Sequence, residues 1–302
     1  MKTNNSFVII FFYLISVKIA VSQVAWPLSQ FNEQHAVVGS VGEYRNTNRF
    51  HRGTDISGTG NVYAINSGEV TDITDEGTNN ETVWVGNIAY VHVVHSIGIK
   101  KGKTVTAGVT VLGTVYSNHV HIQQNNFNFL SHGLSPYVDN ISPVINYVEF
   151  RQNGADLYTA TTLYNKVVTI NDVDYTMLYD KVDIIADAKD PGDNGSRMAP
   201  ISLSYLILNS AGIPVDDWVN SFNFRFTPEN TRTRNCFYSG TIQAGVFKYI
   251  LTSSPNTGPA DRYLLTRLDK KTHHKPVGQT IILWLHHVTL NPIILMAYIV
   301  SV

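Results

Sequence analysis

Between Trp26 and residue 135 the chain breaks into short apolar runs cut by glycine and asparagine. Val62-Tyr63-Ala64-Ile65 and Glu69 to Ile73 flank a turn at Asn66-Ser67-Gly68. Thr82 to Val94 reads as two strands around Gly86-Asn87. Thr104-Val105 and Val109 to Leu112 flank Gly108, and Val115 and His119 to Ile122 follow. No stretch repeats its apolar positions at helical spacing. Strands this short and this close predict an antiparallel sheet or a barrel-like sandwich.

Proline, serine, aspartate and asparagine then cluster from Leu134-Ser135-Pro136 to Ser142-Pro143, which predicts a linker over residues 136–143. A second strand-rich region follows, residues 144–302. Val144 to Phe150, Val167 to Ile170, Val182 to Ala186, Ile201 to Leu208, Phe222 to Phe226, Phe247 to Leu251 and Tyr263 to Leu268 all read as strands. Asn153-Gly154, Asp190-Pro191-Gly192 and Ala211-Gly212 supply turns between them. The pattern fits a β-sandwich of Ig-like or fibronectin-like architecture. The apolar end, Thr280 to Val302, holds His286, His287, Asn291 and Pro292. Those residues suit a membrane helix poorly, so final strands of the sandwich are expected there. The expected fold class is all-β in both regions.

Composition narrows the setting. The 302 residues leave room for two domains. A formal net charge of -1 gives no broad electrostatic case for a nucleic acid or an anionic membrane as partner. Lys2, the apolar run Phe7 to Val17 and the small residues of Ala20-Val21-Ser22 form a signal-peptide pattern, residues 1–22, with cleavage before Gln23. An exported protein is expected, in the periplasm, at the cell surface or outside. Its one cysteine, Cys236, allows no internal disulfide framework, so burial has to supply stability. Cys236 itself reads as a small apolar residue rather than a nucleophile.

The candidate chemistry is a set of histidines with one aspartate. His51 and Asp55 stand four positions apart, and His119 and His121 two apart. Successive strand residues face opposite ways, so His119 and His121 share a face while Val120 and Ile122 point to the packed side. Gly53 and the β-branched Thr54 and Ile56 favour a bend entering a strand over a helical turn at His51 to Asp55. Imidazole and carboxylate are ordinary zinc ligands, and three such ligands with one open position make a catalytic site. Each piece alone is common and more often structural; their joint occurrence in one β segment, with the neighbouring sequence described next, reverses that reading. In the second region His273-His274 and His286-His287 are adjacent pairs whose members face apart, poor chelates both.

Residues 37–122 resemble the lysostaphin-type, LytM-like zinc endopeptidase domain. Gly39-Ser40-Val41-Gly42-Glu43-Tyr44-Arg45 is similar to the segment ahead of that family's first motif, and Phe50-His51-Arg52-Gly53-Thr54-Asp55-Ile56 to the motif itself. Val62-Tyr63-Ala64, Gly68-Glu69-Val70, Tyr90-Val91-His92-Val93, Lys101-Gly102-Lys103-Thr104-Val105 with Gly108 and Leu112-Gly113, and His119-Val120-His121-Ile122 follow in the family's order. The resemblance implies one Zn²⁺ held by His51, Asp55 and His121. It implies His119 as general base and His92 as its partner in orienting water and stabilising the oxyanion. The implied activity is cleavage of stem peptides or peptide cross-links of bacterial peptidoglycan. Tyr116-Ser117-Asn118 and Gln123-Gln124 depart from the family pattern without removing a ligand. His95 rivals His92 for the third-histidine role. A catalytically silent, wall-binding or regulatory relative, and an envelope adhesion or carbohydrate-binding protein, stand as alternatives. Against the last, Trp84, Trp218 and Trp284 read as core or rim residues rather than a sugar platform.

Overall fold

The computed structural model describes residues 25–46, 49–152, 163, 167–170, 173–177, 182–192, 197–208, 219–223, 248–251, 279–286 and 293–300. The expected signal peptide, the strand Tyr263 to Leu268, the turns at Asn153-Gly154 and Ala211-Gly212, His273-His274, Cys236 and Trp218 lie outside them. The described residues form an all-β structure with a single short helix, α1 (Phe129–His132). No helix among them is long and apolar enough to cross a membrane.

Twelve strands make up the first region. They are β1 (Val37–Gly39), β2 (Tyr44–Asn46), β3 (Arg49–Phe50), β4 (Thr54–Ser57), β5 (Asn61–Tyr63) and β6 (Gly68–Thr74). Then come β7 (Thr82–Val85), β8 (Ile88–Val91), β9 (Val93–His95), β10 (Thr104–Val105), β11 (Val111–Val115) and β12 (His119–Gln123). A seven-stranded antiparallel sheet runs β1-β4-β12-β8-β7-β6-β10, and a three-stranded sheet runs β5-β11-β9. Strand alternation sends one set of side chains inward. Ile56 of β4, Val120 and Ile122 of β12, Ile88 and Tyr90 of β8, and Val62 and Leu112 of the smaller sheet share one buried cluster. Burying an Ile or Val side chain of this kind contributes about 1.5–3 kcal/mol. The opposite face of β4, β12 and β8 is left to Asp55, His119, His121 and Val91.

Three expectations change in detail. Thr82 to Val94 holds parts of three strands, because the chain kinks at His92 (φ 66°) and passes from the large sheet to the small one. Thr104-Val105 and the strand after Gly108, which the family resemblance implies as a hairpin, do not pair with each other: β10 pairs with β6, and β11 with β5 and β9. The strand beginning at Val182 runs through Asp190-Pro191, where a turn was expected, and pairs there with Arg197–Met198. Proline is tolerated at such a strand end, where no ladder donor is needed.

Beyond residue 143 the strands form two further sheets. Val144–Gln152, Val182–Pro191, Arg197–Met198 and Lys248–Ile250 belong to one. The other is six-stranded and includes Gln279–His286 paired antiparallel with Ile293–Val300, so the apolar end does form strands. Val173–Met177, which sequence reading missed, pairs antiparallel with Val167–Ile170. The expected linker carries no strand but is tied down. Trp26 Nε1 donates to the Pro136 carbonyl at 2.7 Å, and the Gln34 amide and the Val138 backbone exchange bonds of 2.8 and 2.6 Å. Met198 of the second region enters the first region's core, and the Ala199 amide donates to Ser40 Oγ at 3.0 Å.

Candidate metal centre

The pairing of β4 with β12 places Asp55 directly opposite His121, with Val91 of β8 on His121's other side. Residues opposite each other on antiparallel strands hold their Cβ atoms about 4.5–5.5 Å apart. His51 arrives from the bend before β4. Its backbone is fixed by two bonds, His51 N–H to the Glu43 carbonyl at 2.7 Å and Gly42 N–H to the His51 carbonyl at 2.9 Å. Gly53 allows this approach for a steric reason: a Cβ there would fall 2.5 Å from His121 Nε2 and collide with the Ile122 carbonyl. Gly39 plays the same part behind Asp55, where a Cβ would sit 2.5 Å from Asp55 Oδ2.

Three ligand atoms converge as a result. His121 Nδ1 lies 2.7 Å from Asp55 Oδ1, His51 Nε2 lies 3.1 Å from the same oxygen, and the two nitrogens are 2.9 Å apart. All three residues are buried or nearly so. Their outer atoms are already used. The Ser40 carbonyl can only accept, so His51 Nδ1–H donates to it at 2.8 Å. His121 Nε2 lies 3.3 Å from Gln123 Oε1, which accepts when that nitrogen carries the proton. Asp55 Oδ2 takes Arg45 Nη2 at 2.7 Å. Burial pushes the His51 imidazole down to about 4, so the ring is neutral at physiological pH. Burial alone would raise the Asp55 carboxyl, but its contacts with His121 and His51 outweigh that and keep it ionised.

The consequence is a physical test of whether a cation fits. If each ring carries a single proton, on its outer nitrogen, none is left between the inner atoms. Two nitrogen lone pairs and a carboxylate oxygen then face one another within hydrogen-bond distance, which is repulsive unless a cation sits among them. Two imidazoles and one carboxylate suit zinc in donor type and number. The outer partners fix ring tautomer and orientation, as such partners do in metal sites. Among the described residues, His51, Asp55 and His121 are the one group of metal-ligating side chains that closes in this way.

His119 and His92 stand beside the three, not among them. His119 Nε2 is 4.0 Å from Asp55 Oδ1, and its Nδ1 is tied to Asn118 Oδ1 at 2.8 Å. Partial burial lowers the pKa of His119, favouring the neutral ring. The His92 and His119 rings meet edge to face, with centroids 4.7 Å apart. His92 Nδ1–H donates to the Asn79 carbonyl at 2.5 Å, which turns its Nε2 away from that loop. The left-handed backbone of His92 costs roughly 1–2 kcal/mol for a residue with a Cβ. Strain of this kind gathers at functional sites. All five residues line one cavity of about 360 Å³. His95 does not join them: its Nδ1 and its backbone amide both bond Glu81 Oε1, at 2.6 and 2.7 Å.

Sequence reading missed the residues behind the site. Gln123 was legible, since it lies two after His121 and shares its face; it had been read as a departure only. Ser40 acts through a backbone carbonyl and Asn79 likewise, and neither leaves a mark in residue type. In comparisons with known proteins, no family model matches the chain, and neither a curated protein nor a solved structure matches it.

Proposed function

We propose that the chain is an exported zinc metalloendopeptidase that hydrolyses peptide bonds of bacterial cell-wall peptidoglycan. In this reading residues 23–135 form a LytM-like domain and residues 144–302 an Ig-like β-sandwich that docks the enzyme to wall or partner. The observation that carries it is the convergence of His51 Nε2, Asp55 Oδ1 and His121 Nδ1 with their outer atoms already bonded. The ordered motif resemblance of residues 37–122 adds the substrate class.

His51, Asp55 and His121 hold the zinc. Bound there, zinc supplies a Lewis acid that polarises the scissile carbonyl and brings the pKa of a water toward ~7. His119, neutral and with Nε2 facing the cavity, takes a proton from the attacking water and returns it to the leaving amine. His92, steadied by Asn79 and packed on His119, orients the water through Nε2 and, in its doubly protonated form, stabilises the developing oxyanion. No serine or cysteine nucleophile is required.

The test uses purified residues 23–302, with zinc measured by mass spectrometry and amine release followed on purified peptidoglycan. The expected result is one zinc per chain and cleavage, with zinc lost in His51→Ala. His119→Ala should keep zinc and lose activity by about 10²–10⁴-fold. Full activity of His119→Ala would overturn the assigned chemistry. Zinc binding without any amine release would favour a silent, wall-binding relative.

A further inference from the structure

The cavity in front of the ligands carries more positive charge than metal holding requires. Arg45, Arg49 and Arg52 all line it, and Asp55 is the only acid that does so among the described residues. The three arginines are not equivalent. Arg45 is committed to Asp55 at 2.7 Å and to Glu43 at 3.2 Å. Arg52 bonds only a neutral group, Asn125 Oδ1, at 3.1 Å, and its buried Nε has no hydrogen-bond partner among the described residues. Arg49 is exposed and forms no ion pair with any described residue. Two guanidinium groups therefore face the cavity with no carboxylate to answer them.

Exposed arginines are common, and exposure alone would mean nothing. Three features set this pair apart. They flank His51 in the chain, so the bend that delivers the ligand also delivers them. They belong to a concave site, where low-dielectric walls strengthen fixed charge. A buried donor without a partner is also unfavourable until something accepts from it. A guanidinium presents paired donors in a planar fork that matches a carboxylate.

We propose that this groove selects peptides carrying a free carboxylate beside the scissile bond, with Arg49 and Arg52 as the specificity-determining residues. The inference rests on the peptidase reading of the site. The carboxylate has two possible sources, an acidic side chain or the chain terminus, and both present the same group to the arginines.

The experiment uses the full chain stripped of metal with chelator, so that binding is read without turnover. The probes are wall stem-peptide dimers in four forms: both kinds of carboxylate free, side-chain carboxylates amidated, terminal carboxylate amidated, and all amidated. Calorimetry should show the free form binding about tenfold or more tightly than the fully amidated form, as a charge-assisted contact implies. The preference should weaken as salt rises. Arg49→Gln and Arg52→Gln should each reduce it by about three- to tenfold and leave the affinity for the amidated form unchanged. Whichever single amidation removes the preference identifies the source. Equal affinity for all four forms, no measurable binding of any, or a preference that survives in the Arg49→Gln/Arg52→Gln double variant would overturn the proposal. Zinc content and amine release, measured on the same protein before the metal is stripped, separate the two readings. Cleavage without charge preference sinks this inference alone, and charge preference without zinc or cleavage sinks the peptidase reading alone.

Discussion

Both regions of the molecule bury charge, but they do so in different ways. In the second region Lys248 Nζ lies 3.9 Å from Glu149 Oε1 and 4.9 Å above the Tyr147 ring, and Asn146 Nδ2 donates to Asp187 Oδ1 at 3.1 Å. Each of those contacts joins a donor to an acceptor or a cation to a π-face. In the first region, His51, Asp55 and His121 each aim one potential ligand atom at a common point. Buried polar groups by themselves are therefore no sign of function. Ligand atoms converging on one point, with partners for the ring protons on their outer sides, mark the candidate site.

The largest expected effect sets one buried aspartate against another. Asp55→Ala should abolish stoichiometric zinc and reduce peptidoglycan cleavage to background, because it removes a ligand and leaves Arg45 facing two imidazoles. Asp187→Ala, equally buried, should leave zinc at one per chain and cost about 0.5–1.5 kcal/mol of stability, the net worth of one hydrogen bond, since its partner Asn146 is exposed and can turn to water. Metal analysis and denaturant unfolding on both variants decide it. Zinc loss in both would mean that the metal reports folding rather than the site.

Next is the bend that brings His51 in. Gly53→Ala puts a Cβ against the His121 ring and the Ile122 carbonyl, so β12 or the bend has to move. Overpacking of this kind costs about 1–3 kcal/mol, and the ligand geometry should loosen with it. Gly98→Ala, where a Cβ meets nothing within 4 Å, is the control and should change stability by less than about 0.5 kcal/mol. Zinc affinity measured by competition should fall for Gly53→Ala and hold for Gly98→Ala.

Much of this was legible in the residues. Alternation along His119 to Gln123 placed the histidines on one face and Val120 and Ile122 in the core, and the β-branched Thr54 and Ile56 marked the bend into β4. The kink at His92 was not legible, since Tyr90 to Val93 alternates as any strand would. Its cause is long-range: the Asn79 carbonyl, the Glu81 carbonyl bonded by Val93 N–H, and the Tyr116 amide on the His92 carbonyl. Sequence favours His92 over His95 only through the family pattern; the physical difference, Glu81 bonded to His95 from fourteen residues upstream, is not legible in it. In the second region alternation found the strands, but it could not reveal that Met198 and Ala199 pack against the first region beside Ser40.

Glu81 gives a smaller effect with a pH signature. Its carboxylate accepts from the His95 amide and ring and, at 2.8 Å, from the Gly77 amide, and so holds the loop whose Asn79 steadies His92. Burial raises its pKa, but these donors outweigh burial and hold it below the ordinary 4.5. A depressed folded value means that the contribution is fully present above 4.5 and is lost as pH falls through the folded value. Glu81→Gln should cost about 1–3 kcal/mol at neutral pH. The gap from wild type should close in acid, and kcat should fall more than KM rises. A gap that stayed constant from neutral to acid pH would break the link between the carboxylate and the loop.

The smallest effect belongs to the second region and completes the comparison. Lys248→Met removes a buried cation that lies 3.9 Å from Glu149 Oε1 and replaces it with a side chain of similar length. Glu149 is not stranded by the change, because Arg151 Nε holds the same oxygen at 2.9 Å. Replacing a buried charge with a well-packed apolar group is often neutral or favourable, so stability should shift by no more than about 1 kcal/mol in either direction. Zinc content and cleavage should match wild type. A loss of zinc in Lys248→Met would show that the sheet bearing Lys248 shapes the metal site, and the contrast between a region that holds charge and a region that aims it would fail.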